Sequence, residues 1–178
     1  MIQPLVSIQI PTYNQKAFIK EALESALAQT YENLQIIVSD DCSLDYDIFE
    51  HLYEYKDNPK ILIHRNDKNI GRVANYRNTL YHLVKGEWFV NLDGDDYFIN
   101  PNFIQTAVNA INLSNTDVIA FQAHSLTDKI NEMAISYKSL GLNLFLIDGK
   151  EYIQYLDNEL GFTHGSLLYN VASSKKVN

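Results

Sequence analysis

Apolar and polar positions alternate between two periods along the first 120 or so residues. LVSIQI (5–10) reads as a buried strand. QKAFIKEALESALAQ (15–29) repeats apolar residues every three or four positions. That spacing predicts a helix whose stripe is Phe18, Ala22, Leu23, Ala26 and Leu27. LQIIVS (34–39) is a second strand, DIFEHLYEYK (47–56) a helix and KILIHR (60–65) an extended segment. RVANYRNTLYHLVK (72–85) is helical again, with Gly86 placed to end it. EWFVNL (87–92) forms a fourth strand. Asn100 and Pro101 suit the cap and first turn of a helix through Ser114, and TDVIAFQ (116–122) makes a fifth strand.

Strand–helix alternation implies an α/β fold with a mainly parallel sheet and helices on both faces. Ligands in such sheets bind beyond the carboxyl ends of the strands. The segments there are PTYN (11–14), SDDCS (39–43), NDKNIG (66–71) and DGDD (93–96), all polar. If they share one rim, they converge on one cleft. Beyond residue 123 the pattern weakens. Residues 130–138 and 142–147 suit short strands with a turn at Gly141, 148–160 a helix starting at Asp148, and 161–171 a loop followed by a strand. No repeat or linker divides the chain, so a single domain over 1–178 is expected.

Composition narrows the function. The chain is 46% apolar, enough for a real core, and carries 22 Asp+Glu against 14 Lys+Arg. With no Lys/Arg-rich run, a nucleic-acid partner is not expected. An acidic protein still binds phosphates when a divalent cation bridges the two. The one cysteine, Cys42, allows no internal disulfide and agrees with a reducing compartment. No apolar run approaches the roughly 20 residues that span a bilayer, and no secretion signal is present. A cytoplasmic location, or one at the inner face of a membrane, is the expectation.

The acidic loops carry the chemistry. Asp93, Asp95 and Asp96 crowd the end of a strand, where each like charge disfavours its neighbour's ionisation. An isolated Asp-Gly is often a solvated turn. Carboxylates two apart on a turn can instead share a hard cation such as Mg²⁺ or Mn²⁺, which relieves that repulsion. Asp40 and Asp41 suit either donors on a base or ribose, or a helix cap, a role Ser43 or Asp45 would fill as well. Pro11 and Asn14 can shape a turn, with Asn14 as helix cap, and Tyr13 can stack on a planar base. Gly71 suits a positive φ. Arg72 can reach a phosphate or lie in solvent. His164, in a loop, is the one histidine with a candidate role. No GxxxxGK[ST] loop, GxGxxG turn, zinc spacing or GxSxG elbow occurs.

In this order, VSIQIPTYN, ALAQTYENLQIIVSDDCSLD, NIG followed by RN, and GEWFVNLDGDD resemble the start of a family 2 glycosyltransferase, collinear over residues 5–101. The resemblance implies the Rossmann-like glycosyltransferase A fold, with 1–101 as the nucleotide-binding half and 102–178 as the start of an incomplete acceptor-side half. It implies an inverting transfer from a nucleotide-sugar, a UDP-sugar by frequency in the family, to a glycan or lipid-linked acceptor. Pro11, Thr12 and Tyr13 would cradle the base. Asp41, with Asp40, would hold base or ribose, and Asn69 and Arg72 would line the same pocket. Asp93 and Asp95 match the family's Asp-x-Asp motif: Asp95 would reach Mn²⁺ or Mg²⁺, and Asp93 the ribose or a water of the metal. Asp96 would brace the loop. Cys42 stands where the family often has glycine. No residue matches the family's acidic general base, which is expected beyond Asn178. A nucleotide-sugar-binding piece without turnover, and a nucleotidyltransferase, are the alternatives.

Overall fold

The computed structural model describes residues 2–114, 118–120, 137–141, 144–147 and 167–176. Its main sheet has six strands in the order β3-β2-β1-β4-β8-β5. These are β1 (Val6–Thr12), β2 (Leu34–Asp40), β3 (Ile61–Arg65), β4 (Trp88–Asn91), β5 (Val118–Ala120) and β8 (Leu167–Asn170). β1, β2, β3 and β4 run parallel, and β8 lies antiparallel to both β4 and β5. β6 (Tyr137–Gly141) and β7 (Leu144–Ile147) form a separate antiparallel pair. Of the short strand expected over 130–138, residues 137 and 138 fall in β6 and residues 130–136 lie outside the described residues; Gly141, expected in a turn, ends β6. Residues 148–160, with their expected helix, and His164 lie outside the described residues.

Side-chain alternation along the strands assigns the helices to faces. Ile36 and Val38 of β2 and Trp88 and Val90 of β4 join one apolar cluster with α1 (Ile19–Leu27), α2 (Ile48–His51) and α4 (Phe103–Ser114). Ile37 and Phe89 point the other way, against Val84, Leu80 and Leu83. Those last residues follow or belong to the helix α3 (Arg72–Asn78), which widens into a π-type turn over Thr79–Leu83. Val171 of α5 (Val171–Ser174) completes this second cluster. Helices therefore cover both faces, as the periodicity predicts. The second face is partly polar: the Ser7 hydroxyl donates to Gln35 at 2.7 Å and Gln9 donates to Asn91.

Several boundaries differ from the sequence reading. α1 starts at Ile19, because residues 15–18 form turns and Phe18, expected in the buried stripe, is 52% exposed. Asn14 does not cap it. With φ +53°, Asn14 clasps the next loop: its N–H donates to Ser43 Oγ and its side chain accepts from the Leu44 N–H, both at 2.8 Å. The cap of α2 is Asp47, not Ser43 or Asp45; it accepts from the N–H groups of Phe49 and Glu50. Asn100 and Pro101 are not the cap and first helical residue either: α4 begins at Phe103, and the Asn100 side chain accepts from the Asn102 N–H at 2.9 Å in the turn before it. Gly86 is not a helix terminator, since the helical turns end at Leu83. A Cβ there would lie 2.7 Å from the Leu5 and Trp88 carbonyl oxygens and from Ser7 Oγ, so glycine lets the chain pass close beneath β1.

The strand order creates the site. From β1 the chain steps outward to β2 and β3, then crosses to β4 on the other side of β1. The loops after β1 and β4 diverge at that switch point and leave a crevice at the strands' carboxyl ends.

Candidate donor and metal site

A cleft of about 370 Å³ opens there. Pro11, Thr12, Tyr13, Asp41, Asn69, Arg72, Asp93 and Asp95 all line it, together with Gln15, Gly71, Asn75 and Gly94. The four polar segments thus converge as the parallel-sheet argument requires. Of the candidate site residues, only Asp40 is absent from the lining.

Asp40 is fully buried and turned into its own loop. Its carboxylate accepts from the Ser43 N–H at 3.1 Å and from the Ser43 hydroxyl, and lies 3.6 Å from Arg65 Nε. It shapes the turn and does not face a ligand. Asp41, 2% exposed, takes three donors. Oδ1 accepts from Asn66 Nδ2 and the Ile70 N–H at 2.9 Å, and Oδ2 from the Gly71 N–H at 2.8 Å. One buried carboxylate thereby ties the loop after β3 to the end of β2. Gly71 has the positive φ expected of it, +88°.

Beneath the cleft floor Asn75 extends this network. It is 1% exposed, accepts from Ser39 Oγ at 2.8 Å and from Asn66 at 3.0 Å, and donates to the Ser39 carbonyl at 2.8 Å. A fully bonded polar cluster of this kind fixes the positions of the groups above it. Thr12 is 3% exposed at the cleft edge, and Tyr13, 40% exposed, stands at the rim.

The DGDD loop is held against β1. The Leu92 N–H donates to the Gln9 carbonyl at 3.0 Å and the Gly94 N–H to the Pro11 carbonyl at 3.2 Å. Gly94 has no room for a side chain: a Cβ would lie 2.6 Å from Gln15 Oε1, 2.9 Å from the Pro11 oxygen and 3.0 Å from Thr12 Cβ. This close seating brings Asp93 and Asp95 beside Pro11, Thr12 and Tyr13.

The two carboxylates have different surroundings. Asp93 accepts from the Tyr76 hydroxyl on Oδ1, and Arg72 Nη2 lies 3.5 Å from Oδ2. Burial, and then the adjacent Asp93 charge, push the Tyr76 phenol well above its usual range, so it remains a donor. Among the described residues, Asp95 makes no hydrogen bond or ion pair, and it is exposed to the cleft. Asp96 has its pKa raised, first by burial and then by repulsion from Asp93 and Asp95. The loop thus concentrates negative charge that Arg72 offsets only in part.

That donor set fits a cation of modest protein ligation. No group of three or more His, Cys, Asp or Glu among the described residues could cage a metal. Mg²⁺ and Mn²⁺ are commonly held by one or two carboxylates, with water and substrate phosphates completing the shell. Asp95, with Asp93 beside it, offers that arrangement. Tyr76 and Asn75 are missing from the sequence-based candidates. Tyr76 could have been found from its spacing, since Arg72 and Tyr76 are four apart on one helix and therefore neighbours. Asn75 carried no such signal.

Residues 7–177 match the family described as Glycosyl transferase family 2, and the chain belongs to that family. An uncharacterized glycosyltransferase of Rickettsia felis is 37% identical over 167 residues, 93% of this chain but 26% of that protein. An Escherichia coli protein named UDP-Glc:alpha-D-GlcNAc-diphosphoundecaprenol beta-1,3-glucosyltransferase WfaP is 37% identical over 117 residues, 66% of this chain and 44% of WfaP. Among solved structures, S. aureus TarS 1–349 in complex with UDP-GlcNAc superposes with a TM-score of 0.67 at 21% identity, covering 96% of this chain and 46% of that one. The mannosyltransferase PcManGT from Pyrobaculum calidifontis, in complex with GDP-Man and Mn²⁺, gives 0.60 at 21% identity over 68% of this chain and 36% of its own. The fold is that of the A-type glycosyltransferases. The chain spans less than half the length of each of these proteins.

Proposed function

We propose that the chain is the donor-binding part of a metal-dependent inverting glycosyltransferase that uses a nucleotide-sugar, in first place a UDP-sugar. The observation that carries this reading is the convergence of the loops after β1, β2, β3 and β4 on one cleft that ends in the free carboxylate of Asp95. Residues 1–101 supply this nucleotide-binding half. The UDP-GlcNAc bound by TarS and the nucleotide named in WfaP support the choice of uridine. The diphosphate-lipid in WfaP's name supports a lipid-linked acceptor.

In this reading the Tyr13 ring stacks on the base, and Pro11 and Thr12 form the base's edge of the cleft. Asp41 and Asn69 hold the loop at Gly71 so that the base and ribose side stays open. Tyr76 keeps Asp93 oriented toward the cleft, for contact with the ribose or with a metal-bound water. Arg72, 67% exposed in its side chain, is free enough to turn from Asp93 to a phosphate oxygen. Asp95, with Asp93, would hold Mn²⁺ or Mg²⁺. Such an ion neutralises a diphosphate and the charge that grows on its leaving oxygen.

The test is transfer itself. The protein containing this chain is incubated with radiolabelled UDP-sugars, Mn²⁺ and lipid-linked or free glycan acceptors. Metal-dependent label transfer, abolished in Asp95→Ala, is the expected result. Release of pyrophosphate from UTP and a sugar phosphate, without transfer, would instead mark a nucleotidyltransferase.

A further inference from the structure

We propose that the face built by α3, its π-type extension and α5 docks on an anionic lipid surface. This goes beyond the donor reading and does not depend on it.

The chain carries 22 Asp+Glu and a net charge of −8, yet two stretches carry cations and no acids. Residues 68–86 contain Lys68, Arg72, Arg77 and Lys85 and no Asp or Glu; residues 161–178 contain Lys175 and Lys176 and again none. The fold joins the two stretches. Lys175 Nζ lies 5.6 Å from the centre of the Tyr81 ring, and the Arg77 guanidinium 6.0 Å from it. The segments flanking and forming α1 and α2, on the opposite face, mix Glu21, Glu24, Asp45, Asp47, Glu50, Glu54 and Asp57 with Lys16, Lys20, Lys56 and Lys60. In sequence Asp67 and Glu87 flank the first stretch, and Asp93 faces Arg72.

The basic face is also apolar in part. A shallow groove runs along it, lined by Ile70, Val73, Arg77, Tyr81 and His82 among others, with Val73 73% and Ile70 36% exposed. Cations interleaved with exposed aliphatic side chains complement the headgroup region of an anionic bilayer, where apolar groups insert and cations meet lipid phosphates. Nucleic acid suits the face less well, because exposed Val73 and Ile70 find an apolar boundary to enter in a bilayer and none on a sugar–phosphate backbone. The groove shares Gly71 and Arg72 with the donor cleft. Docking here would bring the cleft mouth toward the lipid headgroups, where a lipid-linked acceptor presents its sugar.

The experiment is vesicle co-sedimentation with two compositions, phosphatidylcholine alone and phosphatidylcholine mixed with phosphatidylglycerol, using wild type and the Arg77→Glu/Lys175→Glu double variant. Each basic residue near such a surface contributes roughly a fivefold gain in affinity. Binding to the anionic vesicles only, weakened by high salt and reduced at least about 25-fold in the double variant, is expected. UDP titration and circular dichroism of the variant confirm that its donor cleft and fold persist. No binding to anionic vesicles, or binding that the charge reversal leaves unchanged, overturns the proposal. Retention on heparin without vesicle binding also overturns it, and assigns the face to a soluble polyanion.

Discussion

Asp93 and Asp95 are two residues apart, yet one is tethered and the other free. The Tyr76 hydroxyl fixes one oxygen of Asp93, and hydrogen bonds to a charged group contribute about 1.5–3 kcal/mol. Tyr76→Phe should therefore weaken Mn²⁺-dependent UDP binding about tenfold by calorimetry while leaving the metal-free component unchanged. Equal loss with and without metal would mean that Tyr76 only packs. Cys42 offers a second residue-level test. It adopts φ +63°, a left-handed conformation that strains residues with a Cβ by roughly 1–2 kcal/mol. Cys42→Gly should raise stability in urea by about 1 kcal/mol, since glycine's own entropic cost offsets part of the gain. The family resemblance marked position 42 as one where glycine is expected; the physical cause became visible only with the backbone angle. Asp40 and Asp41 could not be told apart in the sequence, because two adjacent acids at a strand end look alike. The structure separates them by orientation: one is turned into its turn, the other toward the cleft.

Gly94 joins two elements, β1 and the DGDD loop, and its contacts leave no space for a methyl group. Gly94→Ala should push the loop off Pro11, costing about 1–3 kcal/mol of stability and most of the nucleotide affinity. Thermal melts and UDP titration together check this; a variant that binds UDP normally would show that the loop's seating is irrelevant to the cleft. At this scale the strands and most helices were legible, because buried strands and amphipathic helices differ in period. Helix starts were less so. Asn14 has the composition of a cap, but its side chain is used in a contact with Leu44, distant in sequence. Tertiary partners of that kind leave no local pattern. The same holds for Phe18, whose spacing suits the buried stripe while the turns before α1 leave it exposed.

Over the whole molecule, strand alternation implied the parallel sheet and the rim, but not the order β3-β2-β1-β4-β8-β5 or the antiparallel β8. Order depends on which way the chain crosses after β3, and no local property of the residues records it. The cost of gathering acids on that rim predicts a pH dependence. Asp96 has a folded-state pKa raised above 3.8, so the native state favours its neutral form. Its stabilising contribution is present below the unfolded pKa and lost as pH rises through the folded pKa. In the absence of metal, Asp96→Asn should therefore stabilise the protein at neutral pH, and the gain should fade on acidification toward the normal carboxylate range. Chemical denaturation in EDTA across that range checks it; a gain independent of pH would contradict the charge argument. No helix among the described residues is long and apolar enough to cross a membrane.

The central claim is that the Asp95 carboxylate and a divalent cation together hold a nucleoside diphosphate in the cleft. Calorimetric titration of UDP into wild type and Asp95→Ala, each with Mn²⁺ and with EDTA, tests it most directly. The account predicts tight binding by wild type with Mn²⁺ alone, and equally weak binding in the other three conditions. Metal-enhanced binding that survives intact in Asp95→Ala would contradict it.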